Sequence, residues 1–135
     1  MIKVVCGIIF HDDKVFVCRR KEGKLLSGFW EFPGGKMEEG ESQQEALIRE
    51  LKEELEMEVS IDSFLGRAIH DYGSFKIELI GYNCSLINYA GKLSDHDAYK
   101  WITPKDLLTI KLAPADIPIA KMITNNFTDG LITIT

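Results

Sequence analysis

From Ile2 to Phe10 the chain is almost continuously apolar, and the run breaks at His11-Asp12-Asp13. A short apolar run bounded by turn residues predicts a buried strand. Runs of the same kind predict strands near 14–20, 29–32, 59–71, 75–87 and 97–103, with the longest hairpin at 59–87. Two segments switch to a helical period. Ser42-Gln43-Gln44-Glu45 reads as a capping box, and Leu47, Leu51 and Leu55 recur behind it at i, i+4 and i+8, which predicts a helix whose leucine stripe enters the core. A second helix is expected from about 115 to 125, with Ile119, Met122 and Ile123 inward and Pro118 tolerated in its first turn. A short helical turn fits 104–108, and 131–135 reads as a last strand or a frayed end. Strands interleaved with two helices predict the α/β class, as an α/β/α sandwich around a mixed sheet.

Composition narrows the setting. The 135 residues suit one domain, and no apolar run approaches the ~18–20 residues of a membrane span. The first ten residues lack the charged start and small-residue cleavage site of a signal peptide. Cys6, Cys18 and Cys84 are odd in number, widely spaced and set in apolar runs, so they read as buried free thiols of a cytoplasmic protein. A net charge of −5 argues against a nucleic-acid polymer as partner. A phosphorylated small molecule stays possible if cations bridge it to an acidic face.

The first helix has such a face. In Arg49-Glu50-Leu51-Lys52-Glu53-Glu54, the carboxylates of Glu50, Glu53 and Glu54 fall at i, i+3 and i+4, on one side, at a cost of a few tenths of a kcal/mol per like-charge pair. A hard divalent cation that accepts carboxylate oxygens offsets that repulsion, and Mg²⁺ is the natural candidate.

Around the cluster the chain reads Gly35, five residues, Glu41, seven residues, Arg49-Glu50-Leu51, one residue, Glu53-Glu54, one residue, Glu56-Met57. This resembles the Nudix box at every charged position and at both aliphatic ones. Glu56 departs from it, standing where the family usually has the glycine that ends the helix; the helix is therefore expected to run further or to end without a left-handed cap. The resemblance implies hydrolysis of a diphosphate link. It assigns Glu50, Glu53 and Glu54, with the carbonyl of Gly34, to one to three Mg²⁺ (or Mn²⁺) ions, and Glu41 and Arg49 to support. The double glycine is expected to form a turn that exposes backbone groups to the ligand. Lys36 after it matches a phosphate-contacting position of MutT-like relatives. For the general base, Glu50 and Glu53 compete with Asp95, which aligns with an acidic metal ligand six residues before Trp101; His96 beside it is expected at the surface.

Upstream, Arg19-Arg20 and Trp30-Glu31-Phe32-Pro33 are similar to the MutT-like pattern, implying that Arg20 and Glu31 belong to the substrate site, Arg20 toward phosphate or sugar, and that Phe32 lines the base pocket. Downstream, 112–118 is similar to the segment of bacterial CTP pyrophosphohydrolases that presents a polar group to the base; Asp116 is that residue here, or else it caps the second helix. The implied reaction is (d)NTP plus water to (d)NMP plus pyrophosphate, on CTP, dCTP or oxidised nucleotides such as 8-oxo-dGTP, by a monomer or homodimer. The rivals are hydrolysis of ADP-ribose or a dinucleoside polyphosphate, and a non-catalytic nucleotide-binding module.

Overall fold

The computed structural model describes residues 1–125 and the backbone of 127–128 and 131–132. Strands β1 (Ile2–His11), β2 (Lys14–Arg20), β3 (Trp30–Glu31) and β4 (Gly34–Lys36) precede helix α1 (Gln43–Leu55). Then follow β5 (Glu58–Asp71), β6 (Lys76–Asn88), β7 (His96–Ile102), 3₁₀ turns at Pro104–Thr109 and Pro114–Asp116, and α2 (Ile117–Asn125). Phe127–Thr128 (β8) and Leu131–Ile132 (β9) pair as a small hairpin, so the expected last strand forms at 131–132, and 133–135 lie outside the described residues.

The large sheet runs β3-β2-β1-β6-β5, with β4 beside β1 and β7 beside β2. Only β1 and β6 are parallel, which makes the sheet mixed. Alternate residues of β1 and β2 serve different cores. Val5, Ile9, Phe16 and Cys18 pack with Leu47, Leu51 and Leu55 of α1, whereas Cys6, Ile8, Val15 and Val17 pack with Ile119, Ala120 and Ile123 of α2. Both faces are therefore covered, which is why β1 reads as an unbroken apolar run rather than an alternating one. Among the described residues no helix is long and apolar enough to cross a membrane.

Three expectations change. The double glycine is not a turn but strand β4, paired antiparallel with β1 through Val4↔Lys36, Val5↔Gly35 and Cys6↔Gly34. No apolar side chain marks this strand in the sequence, because its faces abut backbone and a carboxylate. At the end of α1, Glu56 takes the left-handed conformation (φ 49°, ψ 38°), so the helix stops at Leu55 despite lacking the glycine. The N–H groups of Glu56 and Met57 return to the carbonyls of Lys52 and Leu51 at 3.0 and 3.2 Å, and Met57 is drawn into the core. The second helix begins later than expected, its first residues forming the 3₁₀ turn at Pro114–Asp116.

Strands β1 and β2 share only the pairs Phe10↔Val15 and His11↔Lys14, next to their turn. Farther along, β1 pairs with β4 instead. Residues from both halves of this opened sheet line one cavity.

Candidate active site

At Gly34 (φ 157°) any Cβ would overlap the backbone carbonyl of Val5, and at Gly35 it would overlap the carboxylate of Glu50. The two glycines thus do separate jobs. One lets β4 lie close against β1, and the other leaves room for a helix carboxylate to reach the strand. Ser42 and Glu45 form the reciprocal capping box the sequence predicts, which sets where α1 starts and hence which residues of it face β4.

Arg49 ties these pieces together. Its Nε and Nη2 donate to the two oxygens of Glu41 (2.5 and 2.9 Å), Nη2 also reaches the Lys36 carbonyl (3.1 Å), and Nη1 donates to Glu50 (2.9 Å) and Glu53 (3.2 Å). Glu41 accepts the Glu38 N–H as well (2.8 Å), and the Arg49 bond first, then this one, hold its carboxyl below the ordinary range. Glu41 and Arg49 are therefore brought together at the junction of α1, β4 and the intervening loop.

The cavity, of about 690 Å³, has two chemically different ends. One is lined by Gly34, Gly35, Lys36, Glu50, Glu54 and Asp95. Glu54 is pushed up to about 8 by burial, then by the charges of Glu50, Asp95 and Glu31. Asp95, raised by its own burial, is brought back below the usual carboxylate range by Lys24, whose Nζ lies 3.3 Å away. Glu53 does not line the cavity; its exposed side chain stands on the flank of Arg49. Lys36 lines the wall with no ion pair among the described residues.

The other end is largely apolar, with the Asp116 carboxyl and the Tyr72 hydroxyl, which accepts the Ala115 N–H at 3.1 Å, as its polar groups. Phe32, Tyr72, Phe75, Leu79 and Ala115 line it together with Asp116, which is 5% exposed. Its Oδ2 accepts the Phe32 N–H at 2.9 Å, across the site, so it does not act through the first turn of α2. Burial, then Glu31, pushes this carboxyl well above its ordinary value. Tyr72 and Phe75 were not anticipated from the sequence. They flank the Gly73-Ser74 tip of the β5–β6 hairpin with ring centroids 5.3 Å apart, and paired aromatics astride a tight turn were the available signal.

Between the ends, Arg20 donates through Nη1 to both oxygens of Glu31 (3.1 Å each) and through Nε to the Leu25 carbonyl (2.6 Å). His96, expected at the surface, is instead buried, with Nε2 2.8 Å from Glu31.

Among the described residues no three His, Cys, Asp or Glu side chains converge into a ready-made metal cage. The donors nonetheless suit a hard divalent cation. Glu50, Glu54 and Asp95 line one wall, where burial first and then the charges of Glu50, Asp95 and Glu31 raise Glu54, and Mg²⁺ is commonly held by one or two carboxylates together with substrate phosphates and water.

Several known proteins are similar to this chain over most of its length. The CTP pyrophosphohydrolase of Escherichia coli K12 is 36% identical over 119 residues, 88% of each chain. The 8-oxo-dGTP diphosphatase of Buchnera aphidicola is 30% identical over 106 residues, 77% of this chain and 78% of that one. Among solved structures, the E. coli ORF135 protein superposes with a TM-score of 0.78 at 35% identity, covering 93% of this chain and 89% of its own. The MutT protein of Staphylococcus aureus superposes with a TM-score of 0.74, also at 35% identity, covering 92% and 95%. The model of the NUDIX domain matches residues 4–122, and the chain belongs to the Nudix family.

Proposed function

We propose that this protein is a nucleoside triphosphate pyrophosphohydrolase, a single domain over 1–135, that converts (d)NTP and water to (d)NMP and pyrophosphate with Mg²⁺ or Mn²⁺. The substrates we favour are CTP, dCTP and oxidised nucleotides such as 8-oxo-dGTP, in line with the names of the relatives. The observation that carries the reading is the two-ended cavity: carboxylates, a lysine and glycine backbone at one end, aromatic and aliphatic walls around one buried carboxyl at the other. A nucleotide is a polyanion joined to a flat apolar ring, and the cavity has matching parts in that order.

Glu50 and Glu54 with the Gly34 carbonyl, joined by Glu53 turning in from the flank of Arg49, would hold the metal, which supplies neutralisation of bridging phosphate oxygens and a polarised water. Arg49 keeps Glu50 oriented through the 2.9 Å bond, and Glu41 keeps Arg49 in place. Lys36 faces the phosphates. Asp95, Glu50 and Glu53 are the carboxylates able to take a proton from the attacking water. At the far end Phe32 supports the base, and Asp116 meets its edge.

The test is pyrophosphate release from a panel of normal and oxidised nucleotides. Activity is expected to need Mg²⁺ or Mn²⁺ and to vanish in EDTA. Glu53→Gln should lower kcat at least ~10²-fold with the fold intact. With Lys36 over the terminal phosphates, water attacks the β-phosphorus, and ¹⁸O from labelled water enters pyrophosphate. Label in the monophosphate, or full turnover without metal, defeats the mechanism.

A further inference from the structure

Strands β2 and β7 pair regularly from Val15↔Ile102 to Arg19↔Ala98, but the next pair is Arg20↔His96, which leaves Asp97 as an extra residue on β7. Such a bulge re-aims side chains. In an unbroken ladder Asp97 would oppose Arg20, and His96 would share a face with Ala98 and Lys100, away from Glu31. The bulge exchanges them. Asp97 instead accepts from Arg19 Nε at 2.7 Å, and His96 joins Arg20 and Glu31 on the cavity side.

The three side chains form a chain of contacts across β7, β2 and β3. Glu31 receives the imidazole Nε2 at 2.8 Å and the Arg20 Nη1 at 3.1 Å from each of its oxygens. A carboxylate only accepts, so Nε2 carries a proton and donates it to Glu31. The ring's Nδ1 is buried without a hydrogen-bond partner among the described residues. A leucine would fill the space without burying an unpartnered nitrogen, so packing alone does not account for a histidine here. What the ring supplies is a directed N–H on Glu31. Glu31 in turn sets the plane of the Arg20 guanidinium, whose Nη2 makes no bond within the described protein and whose side chain lines the cavity.

We propose that His96 is a positioning residue: placed by the bulge at Asp97, it fixes Glu31, which holds Arg20 with its free nitrogen ready to bind an anionic or hydroxylated part of the substrate. This rests on the nucleotide hydrolase reading for its ligand but not for its geometry. His96→Leu should raise KM for CTP about tenfold with kcat changed less than about threefold. His96→Gln, which keeps a donor near the Nε2 position, should stay within about threefold of the wild-type KM. If the effect travels through Arg20, adding His96→Leu to Arg20→Ala should cost less than about twofold further.

Two measurements need no turnover. Ring ¹⁵N spectra should show a proton on Nε2, and hydrogen exchange at the Arg20 Nη1 group, which donates to Glu31, should speed up about tenfold in His96→Leu. An unchanged KM in His96→Leu, a penalty undiminished in the Arg20→Ala background, an Nε2 without a proton, or unaltered Arg20 exchange overturns the proposal. If the wild type hydrolyses no nucleoside triphosphate, the parent reading fails, and the ¹⁵N and exchange results decide the positioning role by themselves.

Discussion

Asp116 shows how much one side chain depends on its surroundings. It is 5% exposed, and burial first, then the charge of Glu31, favour its protonated form against the opposing Phe32 N–H and Arg20. A carboxyl whose folded pKa lies above its unfolded value (~3.9) takes up a proton on folding. The stability this gives is complete below pH ~4 and is lost as pH rises toward the folded pKa. Asp116→Asn keeps an oxygen for the Phe32 N–H and cannot ionise. Its Tm relative to wild type should therefore grow as pH rises above ~4, and parallel profiles would show that the carboxyl is not held neutral. The same residue faces the proposed base site, where a lost buried contact costs about 1–3 kcal/mol. Asp116→Ala should accordingly change the kcat/KM ratio between cytosine and purine triphosphates at least ~fivefold; an equal loss on every base would confine Asp116 to supporting Phe32.

At the scale of elements, α1 and β4 make one unit. Gly35→Ala puts a methyl group into the Glu50 carboxylate, so the helix carboxylate must move while the leucine stripe stays packed. Misplacing a catalytic group by about 1 Å can cost ~10²-fold in rate. We expect at least a ~10-fold fall in kcat with Tm shifted by only a few degrees; wild-type turnover would place Glu50 outside the mechanism. The other end of the helix offers a gain. Glu56 is left-handed without being glycine, a conformation that costs an ordinary residue about 1–2 kcal/mol. Its ion pair with Lys92 is exposed and worth little. Glu56→Gly should raise stability by about 0.5–1 kcal/mol in urea unfolding. A loss instead would mean that the Lys92 pair outweighs the backbone strain.

For the whole molecule, carboxylates of α1 and of the loop before β7 share one wall of the cavity, within a chain of net charge −5. A cation that binds only the folded state stabilises it by mass action, about 2.7 kcal/mol at 100 times its Kd. Mn²⁺ should thus raise Tm in a concentration-dependent way, and Glu50→Gln with Glu54→Gln should abolish most of the rise. An undiminished rise in that double variant would move the metal elsewhere.

Local chemistry sufficed for much of this. The strands of the long hairpin, the capping box at Ser42, the leucine stripe of α1 and the carboxylates at i, i+3 and i+4 all follow from periods of two or 3.6 residues, which sequence displays directly. The family signature is contiguous in sequence, since the end of β4, the loop after it and α1 with its cap carry it. What required the tertiary structure was every feature set by pairing between distant strands. Strand β4 has no hydrophobic pattern because its neighbours are Val5 backbone and the Glu50 carboxylate. His96 looks like a loop residue until a one-residue bulge against β2 turns it inward. Tyr72 and Phe75, at the turn of the β5–β6 hairpin, share a cavity with Asp116 only through the tertiary fold. Register and bulges depend on which strands meet, and that is decided by burying two cores at once, not by any stretch of chain read alone.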